Sequence, residues 1–202
     1  MNLNMKKIIL IIVCLFLSGC ATAPMRTPNV KNLSVMLPEQ IMIEGVTIQK
    51  GQSFTDCVPV VLEAIFKFYG KSINRKEIDD KIHKGWGTNM KDVIEYVKEN
   101  DFDYCFFYDR TNDKRGIKFF LAQNLPILVV GSHGVGWQGH IVILVGYDDS
   151  KKIFYVADPE WRAIQEQRYL DFNEWHKRRD SYGYVIYPVS KSIEKLDLQE
   201  RR

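Results

Sequence analysis

Apolar residues recur at helical spacing in the first half of the chain and in short continuous runs in the second half. The segment QSFTDCVPVVLEAIFKFYGK carries apolar side chains on one helical face. Pro59 suits a first helical turn, and Gly70 suits the position after the last turn. The pattern therefore predicts a buried helix with Cys57 at its amino end. The residues that share its apolar face are Val58, Val61, Leu62, Ile65 and Phe68 or Tyr69.

Further helices are predicted over residues 74–84, 89–99, 116–123 and 171–179. Asn74 and Glu77 have the spacing of a capping box at the start of the first of them. Val93, among others, provides an apolar face for the second. His83 and His176 lie on predicted helices among charged neighbours, so we expect both at the surface.

The second half of the chain favours β-strands. Runs rich in Val, Ile and Tyr cover residues 102–108, 126–131, 140–148, 152–158 and 182–189, and most are separated by glycine-containing or charged turns. Residues 41–49 alternate enough to predict one short strand ahead of the helices. Helices first and antiparallel strands second predict an α+β fold with the helices packed on one side of the sheet.

The first twenty residues have the regions of an export signal. A basic start, MNLNMKK, precedes the ten-residue apolar run IILIIVCLFL, which is too short to span a bilayer. The junction Leu17-Ser18-Gly19-Cys20 resembles the bacterial lipobox, in which the cysteine is lipidated and begins the mature protein. The alternative is an ordinary signal peptide that happens to end in cysteine. We predict a signal peptide over 1–19, a lipidated Cys20 with a tether over 20–40, a domain over 41–189 and a charged tail over 190–202.

Composition and charge narrow the function classes. The 202 residues are 46% hydrophobic and 26% charged, which is enough apolar material for one globular domain with a core. With 28 Lys and Arg against 25 Asp and Glu, the charge gives no reason to expect nucleic acid. We expect no cofactor, because neither a Cys-x-x-Cys nor a His-Glu-x-x-His pattern is present and no Lys-Ser or Lys-Thr follows the glycine-rich loop.

Four residues could together carry nucleophilic chemistry. A helix amino terminus stabilises a thiolate, and Cys57 is predicted to lie at one. His140 opens a predicted strand directly after a glycine-rich loop, where it is well placed to act as the base. Asp158 ends the next strand, and the hairpin implied by the turn DDSKK would put it beside His140. Gln52, five residues before Cys57, could bind an oxyanion together with the Cys57 backbone N–H.

Alternatives exist for several of these roles. His133, in the glycine-rich loop, is a rival base, and Asp148 or Asp149 could replace the orienting carboxylate although both favour a turn. Trp137, two positions before the loop glycine Gly139, could contact substrate or simply pack on the sheet. Both are tentative substrate-binding residues.

Two cysteines remain in the mature domain under this interpretation, Cys57 and Cys105. An exported protein meets an oxidising compartment, where a bridge between them would silence both thiols as nucleophiles. Cys105 lies inside an apolar predicted strand and is expected in the core. The sequence leaves their pairing open.

Taken in order along the chain, these residues resemble the double-glycine leader peptidase family, peptidase family C thirty-nine, within the papain-like superfamily. The likeness covers about residues 45 to 189. It implies a papain-like α+β fold, with Cys57 as nucleophile, His140 as general base, Asp158 as orienter and Gln52 as oxyanion donor. The residues that carry it are Gln52, Asp56-Cys57, Pro59, Phe68-Tyr69-Gly70, Gly139-His140, Gly146-Tyr147-Asp148 and Asp158-Pro159.

The sequence thus predicts a cysteine peptidase of the bacterial cell envelope, acting on a peptide or protein and anchored to the membrane through Cys20. Ala21 after the lipid-bearing cysteine favours the outer membrane facing the periplasm, by resemblance to lipoprotein sorting patterns. One alternative is an inactive peptide- or partner-binding lipoprotein, because Val58 stands where the family usually has glycine and narrows the space beside the thiol. Another is an acyl transferase or deamidase that uses the same triad.

Overall fold

A computed structural model of the chain describes residues 36–51, 55–83, 87–108, 115–132, 139–161, 163–178 and 182–191. These residues form five helices and seven strands, numbered here along the chain. The helices are α1 (Cys57–Phe68), α2 (Arg75–Ile82), α3 (Met90–Glu99), α4 (Arg115–Ala122) and α5 (Tyr169–Lys177). The strands are β1 (Gln40–Met42), β2 (Phe102–Tyr108), β3 (Ile127–Ser132), β4 (Gly139–Asp148), β5 (Ile153–Ala157), β6 (Ile164–Arg168) and β7 (Tyr182–Pro188).

All seven strands belong to one antiparallel sheet whose main path runs β2-β7-β3-β4-β5-β6. The long strand β4 organises it: its first half pairs with β3, its second half pairs with β1, and β5 lies along its other edge. Every residue of β3 and β5 is buried, and so is every residue of β4 after Gly139. Both faces of the central strands are therefore covered, which explains their continuous apolar runs. The predicted α+β class is confirmed.

Helix α1 packs on β4 and carries much of the core. Val60, Val61, Leu62, Ile65 and Phe66 are at most 1% exposed. Burying an aliphatic or aromatic side chain of this size contributes roughly 1.5–3 kcal/mol, so this face anchors the helix firmly. The helix begins at the predicted cysteine, and its amino end is thereby held against the sheet.

The end of α1 follows the predicted signal. Gly70 adopts a left-handed φ of +82°, which a glycine tolerates without strain. The N–H of Lys71 donates to the carbonyl oxygen of Phe66 at 2.9 Å, and the N–H of Gly70 donates to that of Lys67 at 2.9 Å. These two bonds satisfy carbonyl groups that the last helical turn leaves open.

Three sequence-based expectations differ from the structure. The strand predicted over 41–49 is only β1, because the chain turns at Gly45 with φ +84° and continues as coil, in which Val46 and Ile48 are buried. Strand β6 was not predicted, since its polar sequence IQEQR forms an edge with little burial. His176 is fully buried rather than at the surface, and its Nδ1–H donates to the Val130 carbonyl oxygen at 2.8 Å.

Asn74 caps α2 as predicted, but without the reciprocal bond of a capping box. Its side-chain oxygen accepts from the Lys76 N–H at 2.8 Å. The carboxylate of Glu77 instead accepts from the Tyr96 hydroxyl of α3, at 3.4 Å. Glu77 therefore bonds to a residue of another helix and not to the helix cap that its spacing from Asn74 predicted.

The predicted signal peptide, Cys20 and most of the predicted charged tail lie outside the described residues, so the proposed domain boundaries stay predictions. None of the described helices is both long enough and apolar enough to cross a bilayer.

Candidate active site

His140 and Asp158 meet because β4 and β5 form a hairpin. His140 is the second residue of β4, and Asp158 directly follows β5. Imidazole Nε2 lies 2.8 Å from Oδ1 of the carboxylate, with the two side chains only 8% and 14% exposed. The same Oδ1 accepts from the Glu160 N–H at 2.8 Å, which fixes the carboxylate in the turn after the strand. The juxtaposition predicted from the DDSKK turn is confirmed.

The third member of this cluster is Cys57, the first residue of α1. Its side chain forms a hydrogen bond with the His140 imidazole. Because Nε2 of that ring is bonded to Asp158, Nδ1 is the nitrogen that remains for the thiol. Three elements far apart in the sequence thus deliver Cys57, His140 and Asp158 in one hydrogen-bonded series.

The electrostatics of the cluster favour a charged imidazole. Burial lowers the pKa of His140, but the hydrogen bonds that its ring makes to Asp158 and Cys57, with the negative charges of those groups, outweigh burial and raise that pKa to about 9. The imidazolium is therefore stable at neutral pH when carboxylate and thiolate flank it. Cys57 is the first residue of α1, so its side chain lies at the positive end of the helix dipole.

Both cysteines of the described domain are free thiols. Cys105 lies on β2, half-buried, and burial followed by the charge of Asp103 raises its pKa to about 11. It is consequently a protonated thiol at neutral pH. The bridge left open by the sequence is not formed in the structure, and Cys57 is available for chemistry.

An aromatic wall beside His140 was not foreseen from the sequence. Gly131 of β3 lies directly opposite His140 in the ladder, and a Cβ on it would come within 2.2 Å of the indole ring of Trp175. The glycine therefore lets that indole lie flat against the strand. The indole meets the His140 ring edge-on, with centroids 6.4 Å apart and an interplanar angle of 77°.

Trp175 is itself braced by its own helix. Phe172 and His176, three residues before and one after it on α5, place their rings 5.9 Å and 6.4 Å from its ring. The hydrogen bond from His176 to β3 holds this end of α5 on the sheet. A glycine inside a strand pattern and the aromatic spacing of DFNEWH were the sequence signals available for this feature.

The segment that leads into Cys57 is tied to the turn that carries Asp158. The N–H of Gly51 donates to the carbonyl oxygen of Pro159 at 2.9 Å. Gln52, the predicted oxyanion donor, follows immediately but lies outside the described residues, as do Trp137 and the rival base His133. Gly139, the other tentative substrate contact, is the exposed first residue of β4.

The alternative orienting carboxylates are far from the imidazole. Asp148 is at the opposite end of β4, where its Oδ1 accepts from the Ser150 hydroxyl at 2.6 Å and from the Lys151 N–H at 3.0 Å. Asp149 accepts from Lys118 Nζ at 2.6 Å. Both are held by partners of their own, so the described carboxylate that contacts His140 is Asp158.

A polar cleft of about 640 Å³ lies beside the amino end of α1. Its wall includes Asp56, immediately before the cysteine, and Gly51. Arg75 crosses the cleft, with Nε and Nη2 donating to one Glu63 oxygen at 3.0 and 2.9 Å. Within the described ranges, no group of three or more His, Cys, Asp or Glu side chains is arranged to hold a metal ion.

The family of the chain follows from comparison with known proteins. The model of the Peptidase_C39 like family matches residues 40–185, which is most of the chain. The chain therefore belongs to the Peptidase_C39 like family. No curated protein matches the chain.

Solved structures share the fold at low identity. A protein named as a C39-like peptidase from Bacillus anthracis is 10% identical, with 74% of this chain and 98% of that chain covered and a TM-score of 0.62. A double glycine motif protease of an AMS/PCAT transporter, in complex with its leader peptide, is 14% identical, with 74% and 98% covered and a TM-score of 0.55. Xylellain, a cysteine protease from Xylella fastidiosa, is 15% identical, with 76% and 87% covered and a TM-score of 0.53. The predicted papain-like fold is confirmed.

Proposed function

We propose that the chain is a cysteine peptidase in which Cys57 is the nucleophile, His140 the general acid and base, and Asp158 the residue that orients the imidazole. The observation that carries this proposal is the hydrogen-bonded series Cys57, His140, Asp158 at the amino end of a buried helix. Membership of a peptidase-like family supports it. The polar cleft is lined by Asp56 and Pro59, on either side of Cys57 in the sequence, and not by the three catalytic residues themselves, so it adjoins the proposed site without containing it.

The reaction begins from the thiolate and the imidazolium. The sulfur of Cys57 attacks the carbonyl carbon, a C–S bond forms, and the carbonyl π electrons move onto oxygen. The backbone N–H of Cys57 and the side-chain amide of Gln52 stabilise that oxyanion in our proposal. His140 then gives its proton to the amide nitrogen as the C–N bond breaks, and the free amine leaves behind a thioester.

Hydrolysis of the thioester restores the enzyme. Neutral His140 takes a proton from water while the water oxygen attacks the thioester carbon. The C–S bond breaks, the acid product leaves, and the thiolate with its imidazolium returns. The Asp158 carboxylate stabilises each imidazolium state, because it lies 2.8 Å from the ring.

The substrate in this proposal is a peptide or protein. One structural neighbour binds a leader peptide, which supports an extended peptide as the ligand class and does not specify its sequence here. The location in our proposal is the bacterial cell envelope, most simply the periplasmic face of the outer membrane, with a lipid on Cys20 as the anchor. The lipobox-like junction and the preceding apolar run are the observations that support it.

The first test measures the reactivity of the thiol. Brief treatment of the full chain with iodoacetamide near pH 6, followed by peptide mapping, is expected to label Cys57 rapidly and Cys105 hardly at all, because thiolate reacts and thiol does not. His140→Ala should slow labelling of Cys57 about tenfold or more. Equal, slow labelling of Cys57 in both proteins would contradict an activated thiolate.

The second test measures turnover of a peptide library by mass spectrometry. Cys57→Ala should reduce cleavage about 10⁴-fold, because the step that forms the thioester is lost. Cys105→Ala is the matched control, since that thiol is protonated and lies on β2 rather than on α1, and it should retain activity. Cleavage that survives Cys57→Ala would show that another group acts as nucleophile.

Val58 favours one second candidate, a protein that binds peptides without cutting them. The side chain is β-branched, half-buried and next to the thiol. In that case Val58→Gly would be needed to reveal cleavage, while Cys57→Ala would leave peptide binding unchanged. Acyl transfer or glutamine deamidation by the same three residues would be recognised by the mass of the product, because an amine or a side-chain amide then takes part.

A further inference from the structure

Arg75 is the first residue of α2, a position that a helix does not favour for a cation. Asn74 caps this helix, and Arg75 follows it at the positive end of the helix dipole. An acidic side chain would suit that end better. The local helix therefore does not explain the arginine, and its contacts with other elements must.

The guanidinium of Arg75 joins two other parts of the chain. Nε and Nη2 donate to one carboxylate oxygen of Glu63 on α1, at 3.0 and 2.9 Å. Nη1 donates to the backbone carbonyl oxygen of Lys50, at 3.3 Å. The side chains of Arg75 and Glu63 are only 22% and 28% exposed, so solvent screens this ion pair only in part. The rigid fork of an arginine is suited to such bonds in two directions.

The backbone that Arg75 holds is also bonded to the sheet. Gly51 follows Lys50 and donates its N–H to the carbonyl oxygen of Pro159, at 2.9 Å. Pro159 follows Asp158, whose Oδ1 lies 2.8 Å from Nε2 of the His140 ring. Lys50 and Gly51 thus connect helices α1 and α2 with the turn that carries the orienting carboxylate.

The three catalytic residues of the proposed function come from the two sides of this connection. Cys57 begins α1, six positions before Glu63 on the same helix. His140 and Asp158 belong to the sheet and to the turn after β5. Because a helix moves as a stiff unit, a displacement of α1 relative to that turn would change the distance between thiol and imidazole. A misplacement of about 1 Å can cost a large factor in rate.

We propose that Arg75 is a positioning residue that holds the thiol of Cys57 against the His140 imidazole, because it braces α1 against the turn after β5 through Lys50 and Gly51. This inference rests on the proposed function, in which thiol and imidazole act together. In this role Arg75 acts through Glu63 and through the backbone, and it neither moves a proton nor binds a reacting atom.

The His140 ring would report a loss of this bracing. Its interactions with Asp158 and Cys57 raise the pKa of His140 to about 9. Asp158 is held separately, by the Glu160 N–H at 2.8 Å. A greater distance between thiol and imidazole would therefore weaken the contribution of Cys57 and lower the pKa of His140. The direct effect of removing a cation is the opposite, because it would raise the pKa of the imidazole.

The test is an NMR titration of His140 in the full chain, with the signal assigned from His140→Gln. Arg75→Gln removes the bonds in both directions, so His140 should titrate about one pH unit lower than in the wild type. Glu63→Gln removes only the anionic partner and should cause a smaller fall. Lys76→Gln is the matched control: Lys76 lines the same cleft, but its Nζ pairs with Asp80 at 2.7 Å, so His140 should titrate as in the wild type.

Two further measurements show whether Arg75 acts through the thiol. In a Cys57→Ala background, Arg75→Gln should cause no further change in the titration of His140, because the group that it positions is absent. In the otherwise unchanged chain, Arg75→Gln should lower kcat for peptide cleavage about tenfold, while Lys76→Gln should retain it.

The outcomes separate this inference from the proposed function. A pKa of about 9 for His140 in the wild type and in Arg75→Gln alike would overturn the positioning role and leave the proposed function standing. Equal falls in Arg75→Gln and Lys76→Gln, or a fall that persists without the Cys57 thiol, would also overturn it. Titration of the wild-type ring near the ordinary value of about 6.5 would overturn the hydrogen-bonded series itself, and this inference with it.

Discussion

An aspartate lies near each end of β4, Asp148 as its last residue and Asp158 beside its second residue, and the difference between them shows what makes a carboxylate functional. At one end Asp148 is held by its own turn, through Ser150 and Lys151, which lower its pKa. At the other end Asp158 binds the imidazole of His140 from a neighbouring strand. The first carboxylate is satisfied within three residues of the chain. The second is satisfied by a group that the fold brings to it, and that group in turn contacts Cys57.

The largest effect is expected for Asp158→Asn. Loss of the negative charge should reduce kcat/KM by about 10²–10⁴-fold, because the imidazolium is no longer stabilised and the ring loses its orientation. The pKa of His140 should fall from about 9, so the alkaline limb of the pH profile should move to lower pH. The measurement is the pH dependence of peptide cleavage, and an unmoved alkaline limb would contradict the role of Asp158.

Gly131→Ala tests the aromatic wall at the catalytic end. The added methyl group would overlap the indole of Trp175, which must move away from His140. We expect an unfolding free energy lower by about 1–3 kcal/mol and activity lower by about tenfold. Trp175→Phe should restore part of the activity of Gly131→Ala, because a smaller ring leaves space for the methyl group. Additive losses in the double variant would argue against this contact.

The raised pKa of His140 also predicts how stability depends on pH. The folded protein holds the imidazole proton more tightly than the unfolded chain, so the stabilising contribution is complete below the usual pKa of about 6.5. It is lost as the pH rises through about 9. Urea unfolding at pH 6 and pH 9.5 should therefore differ by about 2 kcal/mol more in the wild type than in His140→Gln. The same difference in both proteins would refute the shift.

Asp148→Asn is the matched change at the other end of β4 and should have the smallest effect. Its lowered pKa means that the charged carboxylate stabilises the fold at neutral pH, and that this contribution disappears as the pH falls through its folded-state pKa. The variant should unfold at a slightly lower temperature at pH 7, with cleavage unchanged. A loss of activity comparable to that of Asp158→Asn would break the distinction between the two ends.

Local signals in the sequence were sufficient for the helix that carries the nucleophile. Pro59 in the first turn and Gly70 after the last are short-range determinants, and α1 begins at Cys57 as they predict. The β4–β5 hairpin was also predictable, because a short charged turn between two apolar runs leaves few other pairings. The sequence therefore predicts that His140 and Asp158 lie side by side, and their side chains meet at 2.8 Å.

Contacts between distant elements were not predictable in the same way. His176 sits on a helix with charged neighbours, yet it is buried because α5 packs that face on β3. Strand β6 has no apolar pattern by which the sequence could reveal it. Its hydrogen bonds to β5, and not burial, keep it extended. The role of Gly131 depends on an indole 44 positions later in the chain.

The sequence alone determined most of the helices and strands of this protein, the helix end at Cys57 and the hairpin partners His140 and Asp158, because turn chemistry and apolar periodicity act over a few residues. The tertiary structure decided which carboxylate meets the imidazole, that Cys57 and Cys105 stay apart as free thiols, and that Trp175 covers the histidine. It also placed the chain entry at one end of β4 and the candidate active site at the other. Those relations depend on packing between elements, and no local pattern encodes the distance between them.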